Sequence, residues 1–138
     1  MSYILDSSAI FRAIKENVVE TLVGNYTLEL ARYELGNALW KEYIFHKKIN
    51  KDELRRLIRL IKEVLNIVEV LGIECHEEEI LDTAEELKST FYDASYIFYA
   101  KEKKLSLITE DEALLNKART YVKALKLSDV EHTTRGFY

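Results

Sequence analysis

A chain of 138 residues with 48% apolar and 32% charged residues is read as one soluble globular domain spanning 1–138, and its composition excludes a disordered chain. A net charge of −4 argues against a protein that grips nucleic acid through surface lysines alone. It leaves room for an enzyme whose bound cations reverse the local sign.

The chain opens on Tyr3-Ile4-Leu5, a short apolar run that stops at Asp6. This pattern predicts a strand at 2–6, followed by a helix at about 7–16 and a short helical turn near 18–23. Asp6, Arg12 and Lys15 interrupt any apolar leader, so no signal peptide is expected. "NYTL" at 25–28 reads as a second strand, and helical periodicity then runs from Glu29 to about His46. A second long helix is predicted from Lys51 to about Val68, with Leu54, Leu57, Ile58, Ile61, Val64 and Leu65 on one face. Asn50 is its expected N-cap, with Glu53 completing a capping box.

After Gly72, "IEC" reads as a third strand. Helices at about 77–88 and 91–103 follow, then a strand "LSLI" at 105–108, a helix from Asp111 to about Ala118, and a last strand "YVKAL" at 121–125. Short apolar strands alternating with helices imply a parallel sheet covered on both faces, hence a three-layer α/β/α sandwich with a short-stranded, mainly parallel central sheet. No stretch approaches the roughly 18 apolar residues of a membrane span. Cys75 is the only cysteine, which excludes an intrachain disulfide and suits a reduced, cytoplasmic protein. The chain lacks proline and glutamine, has one methionine, and is rich in Lys, Arg and Glu, a bias that partly resembles thermophilic composition.

Two charge blocks stand out. Residues 41–63 hold eight Lys/Arg against four Asp/Glu, and residues 77–93 hold seven acids against one lysine. Each is read first as a solvated helix face. In the basic block, Lys47, Lys48, Arg55, Arg56 and Arg59 are candidates to approach a phosphate backbone.

Four acids break the apolar pattern. In open α/β sheets, ligands bind beyond the carboxyl ends of the strands. Asp6 ends the first strand there, and Thr109, Glu110 and Asp111 follow the strand at 105–108. Glu34 sits on a small apolar helix face made by Leu30, Ala31 and Ala38, with Asn37 one turn on. Asp93 sits among Phe91, Tyr92, Tyr96 and Ile97. Each acid has a plain structural reading: Asp6 and Asp111 as helix caps, Glu34 as partner of Arg12 or Arg32, and Asp93 as a first-turn acid favoured by the helix dipole. Four acids converging on one edge repel one another unless a hard divalent cation neutralises them, and Mg²⁺ or Mn²⁺ are the usual partners of oxygen ligands. The three histidines lie outside these segments and form no zinc-binding spacing.

The ordered set "YILDSSAI", "ARYELGNALWK", "FYDASYIFYA" and "LSLITEDEALLNKA" resembles the PIN-domain family, and within it the VapC-type toxin ribonucleases of toxin–antitoxin pairs. The resemblance runs from Tyr3 to about Leu125. It implies an endoribonuclease dependent on one or two Mg²⁺ or Mn²⁺ ions, with Asp6, Glu34, Asp93 and Asp111 as both catalytic and metal-holding acids. Ser7, Thr109 and Asn37 stand where the family has supporting polar groups. The expected partners are an RNA substrate, a VapB-like antitoxin and a second copy of the chain. Glu110 is an extra carboxylate in this motif and is expected to face solvent. Two other readings keep the same fold: a PIN scaffold that binds without cutting, and an RNA-processing nuclease without an antitoxin. A phosphatase with Asp-x-Asp on its first strand is excluded by Ser8, and the acidic pair and lysine of a phospho-acceptor domain are missing.

Overall fold

A computed structural model describes residues 2–130; Met1 and residues 131–138 of the predicted single domain lie outside the described residues. Five strands form one sheet: β1 (Tyr3–Leu5), β2 (Tyr26–Leu28), β3 (Glu69–Leu71), β4 (Ser106–Ile108) and β5 (Ala124–Leu125). Their order is β3-β2-β1-β4-β5, and every pairing is parallel. Six α-helices connect them: α1 (Ser7–Lys15), α2 (Leu30–Ile44), α3 (Lys51–Ile67), α4 (Glu77–Leu87), α5 (Phe91–Glu102) and α6 (Glu112–Arg119). A 3-10 turn at Val19–Leu22 precedes β2.

The strand order explains the layers. From β1 the chain steps outward through β2 to β3, then crosses back over to β4 and steps the other way to β5. Right-handed crossovers in opposite directions place their helices on opposite faces. One core accordingly joins Ala9, Ile10, Leu35, Leu39, Ile61 and Val64 from α1–α3. The other joins Ile80, Ala84, Ala94, Ile97, Leu114 and Leu115 from α4–α6. Successive strand residues feed opposite cores: Leu5 and Ile108 enter the first, Ile4 and Leu107 the second. This is the predicted three-layer sandwich.

Local signals set the boundaries. The Asp6 side chain accepts from the Ala9 N–H and caps α1. Asn50 and Glu53 make the expected capping box on α3. Two predicted strands need correction. The third strand is Glu69–Leu71, before Gly72, not "IEC" after it. Residues 73–76 instead turn, with the His76 N–H donating to the Ile73 carbonyl at 3.0 Å and Cys75 at φ 71°. Helix α3 runs directly into the strand, so its apolar rhythm hides the change of period. The last strand keeps only Ala124 and Leu125, because the Tyr121 and Val122 N–H groups close the end of α6 onto the Ala118 carbonyl. Among the described residues no helix is long and apolar enough to cross a membrane.

Candidate active site

Asp6 and Thr109 lie at the ends of the adjacent strands β1 and β4, where the sheet's connections change direction. Crevices at such switch points are where doubly wound sheets bind ligands. The two strand ends are stitched together. The Thr109 hydroxyl donates to Asp6 Oδ2 at 2.5 Å, and the Ser8 hydroxyl donates to Asp6 Oδ1 at 2.7 Å. The Ala9 N–H donates to the same Oδ1 at 3.0 Å. Ser8 Oγ in turn accepts from the Glu110 N–H at 2.9 Å, and Thr109 Oγ1 accepts from the Asp111 N–H at 3.1 Å.

Asp6 is 5% exposed. Burial pushes its carboxyl up to about 6, against the pull of the Ser8 and Thr109 hydroxyls and the Ala9 N–H, and repulsion from Glu34 adds to the rise. Its role is therefore double: it caps α1 and it presents a buried carboxylate at the sheet edge.

Glu34 projects from α2 and pairs with neither predicted arginine. Arg32 bonds Glu29, while Arg12 bonds Glu16 and Glu110. Glu34 Oε1 accepts from the buried Tyr96 hydroxyl at 2.9 Å, and Ser7 supplies a second hydrogen bond. Burial again raises its carboxyl, with repulsion from Asp93 adding to the effect. Asp93 lies in the first turn of α5, whose Thr90 cap accepts the Asp93 N–H at 3.0 Å. Burial and the charge of Asp111 raise it, and Lys117 on α6 opposes them. Asp111 caps α6 by accepting the Leu114 N–H at 3.1 Å.

The four predicted acids thus form a row in which each neighbour feels the next: Asp6 with Glu34, Glu34 with Asp93, Asp93 with Asp111. Among the described residues no three Asp, Glu, His or Cys side chains are grouped tightly enough to enclose an ion. Hard, mutually repelling carboxylates with no arginine among them fit Mg²⁺ or Mn²⁺, which keep part of their water shell and need only one or two protein carboxylates.

The supporting groups divide. Ser7 reaches Glu34 and Thr109 reaches Asp6. Asn37 is exposed on α2 and bonds no acid of the row among the described residues. Ser8, Tyr96 and Lys117 join the row without being among the predicted residues. Ser8 is the second residue after Asp6, the ST position beside a cap, and that spacing is the signal that marks it. Tyr96 and Lys117 reach the row only through tertiary packing. Glu110 is a correction: its side chain faces inward, bonding Arg12 through Oε1 and accepting the Leu127 N–H through Oε2 at 2.8 Å.

A model of the PIN domain family matches residues 3–120. A Pyrobaculum aerophilum protein named exonuclease VapC9 is 34% identical over 121 residues, covering 86% of this chain and 87% of that one. The crystal structure of PAE2754, also from Pyrobaculum aerophilum, aligns with a TM-score of 0.76 at 30% identity, covering 94% of this chain and 92% of the other. VapBC-1 from nontypeable Haemophilus influenzae shares the fold, with a TM-score of 0.56 at 20% identity over 93% of this chain and 99% of that one.

Proposed function

The chain belongs to the PIN-domain family, and from that premise we propose that it is a divalent-metal-dependent ribonuclease, the toxin of a VapBC-type pair. The observation that carries the reading is the row Asp6–Glu34–Asp93–Asp111, drawn from four separate segments to the switch point of a parallel sheet.

In this reading Asp6, Glu34, Asp93 and Asp111 hold one or two Mg²⁺ or Mn²⁺ ions, directly or through water. The ions supply positive charge against the phosphodiester oxygens and make bound water more acidic. The protein's own groups do the positioning. Ser8 and Thr109 fix both oxygens of Asp6, so its carboxylate cannot rotate away. Tyr96 and Ser7 fix Glu34. Lys117 leaves Asp93 partly balanced without occupying the row.

The relative's name specifies an exonuclease, whereas we assign internal cleavage to this chain. A circular RNA tests both points at once. Purified protein with Mn²⁺ opens the circle, and Asp6→Asn and Asp93→Asn variants with intact folds do not. Cutting of linear RNA alone would make it an exonuclease, and full activity in both variants would remove the assigned site.

A VapB-like antitoxin, a second copy of the chain and a cytoplasmic setting complete the reading. An apolar cavity of about 220 Å³ beside the acid row, lined by Leu28, Leu30, Tyr33, Leu71, Ile73 and Tyr92, supports a protein partner. Tyr33 and Tyr92 are 75% and 61% exposed at its rim. Co-expression with a candidate antitoxin, followed by size-exclusion chromatography, tests both assemblies.

A further inference from the structure

A second cavity, of about 390 Å³, opens between α1 and α2. One end is formed by Ser7 and Ser8, whose hydroxyls hold Glu34 and Asp6. Along α1 its wall passes Phe11 to Lys15, and along α2 it passes Ala38, Lys41 and Glu42 to His46 just beyond the helix end. The groove therefore starts at the acid row and leads away from it to a group of basic side chains.

We infer that this groove seats the backbone of single-stranded RNA leaving the cleavage site, with Lys41 and His46 facing phosphates beyond the scissile one and Lys15 neutralising Glu42 between them. The inference rests on the nuclease reading above.

Distance selects the phosphates. At 1.5 Å per helical residue, Lys41 lies about 10 Å along α2 from Glu34, and Lys15 lies about 12 Å along α1 from Ser7. Neither lysine meets the phosphate held at the acids. Charge selects the ligand. The chain is acidic overall, yet basic groups surround the one acid in this groove, Glu42. Lys15 bonds it at 2.6 Å, and Lys15, Lys48 and His46 together hold its carboxyl below the usual range. With Glu42 neutralised by Lys15, Lys41 is left to attract an anion. The wall between the ends is apolar at Phe11 and Ala38, with Lys15 Nζ 4.7 Å from the Phe11 ring centroid. Of the five candidates in the predicted basic block, none lines this groove; Lys48 acts on it only through the charge of Glu42. Arg55 instead lines a different cavity with Trp40, between α2 and α3.

The test compares two lysines. Lys41→Glu changes the groove; Lys104→Glu makes the same charge change just before β4, at the other end of the strands from the acids. Binding of a fluorescein-labelled single-stranded RNA dodecamer is measured by anisotropy across a salt series, in calcium to prevent turnover. Lys41→Glu is expected to weaken binding at least tenfold and to flatten the salt dependence by about 0.7 for each phosphate that is no longer neutralised. Lys104→Glu is expected to stay within twofold of wild type. Equal affinities for the two variants, with wild type still cutting RNA, overturn the groove and leave the nuclease standing. Loss of antitoxin binding with unchanged RNA affinity overturns it too, assigning the groove to protein. Wild-type protein that neither binds nor cuts RNA with Mn²⁺ overturns the nuclease reading itself, and the groove falls with it.

Discussion

The hydroxyl of Tyr96 on α5 donates to Glu34 on α2 at 2.9 Å, joining helices that cover opposite faces of the sheet. Tyr96 is 2% exposed, so its hydroxyl has no water to fall back on. Tyr96→Phe removes the donor and leaves Glu34 with Ser7 alone. We expect a loss of about 1–2 kcal/mol in urea unfolding at neutral pH. Apparent Mn²⁺ affinity should weaken as well, because Glu34 is freed to turn. Unchanged stability and metal affinity would show that the bond contributes nothing.

Burial makes Asp6 a pH-dependent cost. Its folded carboxyl ionises near pH 6, against 3.8 ordinarily, so the folded chain retains a proton that the unfolded chain has lost. The group is neutral to stability below about pH 4, destabilises increasingly up to pH 6, and carries its full cost above that. Asp6→Asn keeps the cap and removes the charge. Without divalent cations it should be more stable than wild type at pH 7.5 by about 1–3 kcal/mol, with the gap closing near pH 3.5. A variant less stable than wild type at both pH values would contradict this.

Adding Mn²⁺ should raise the wild-type melting temperature, since a ligand bound only to the folded state stabilises it. Asp6→Asn and Asp93→Asn should reduce the rise to a small fraction. Differential scanning fluorimetry reads this without any RNA. An equal rise in all three proteins would place the ion elsewhere.

Asp111 separates its two roles by substitution. Both Asp111→Asn and Asp111→Ala should lose RNA cleavage. Only Asp111→Ala should also lose stability, by about 1 kcal/mol, because asparagine still accepts the Leu114 N–H that caps α6. Thermal melts beside cleavage assays separate these effects.

Glu110 and Arg12 should differ sharply although they bond each other. Glu110→Ala strands the Leu127 N–H, next to a buried leucine, and should cost about 1–3 kcal/mol. Arg12 has a side chain 41% exposed, so Arg12→Ala should cost less than about 1 kcal/mol. Chemical denaturation of both variants decides it.

Local chemistry makes most of the architecture readable in advance. Asn50 and Glu53 announce α3 by spacing, and apolar runs such as Ile4-Leu5 or Leu107-Ile108 announce strands buried on both sides. β3 escapes because Val68, Val70 and Leu71 continue the apolar rhythm of α3 without a turn residue between them. Asp6 and Asp111 stand out because they follow strands at the sheet's carboxyl edge, and Glu34 and Asp93 because they interrupt apolar helix faces. Their partners do not. Tyr96 is 62 residues from Glu34, and Thr109 is 103 from Asp6, so nothing in either neighbourhood marks the pairing. Glu110 looks solvent-facing because its sequence neighbours are polar or charged, whereas Arg12 and Leu127, which turn it inward, arrive from elsewhere in the chain.

The bonds from Ser8 and Thr109 to Asp6 also bear on the order in which the acid row is assembled. Asp6 leaves the ribosome more than 100 residues before Thr109 and Asp111. A nascent chain holding Asp6, Glu34 and Asp93 still lacks β4, the strand that seats β1 on its other side and brings in the fourth acid. Parallel pairing over that separation is slow to form and has no local substitute. The row of four acids is therefore completed only once β4 has been made, more than 100 residues after its first member.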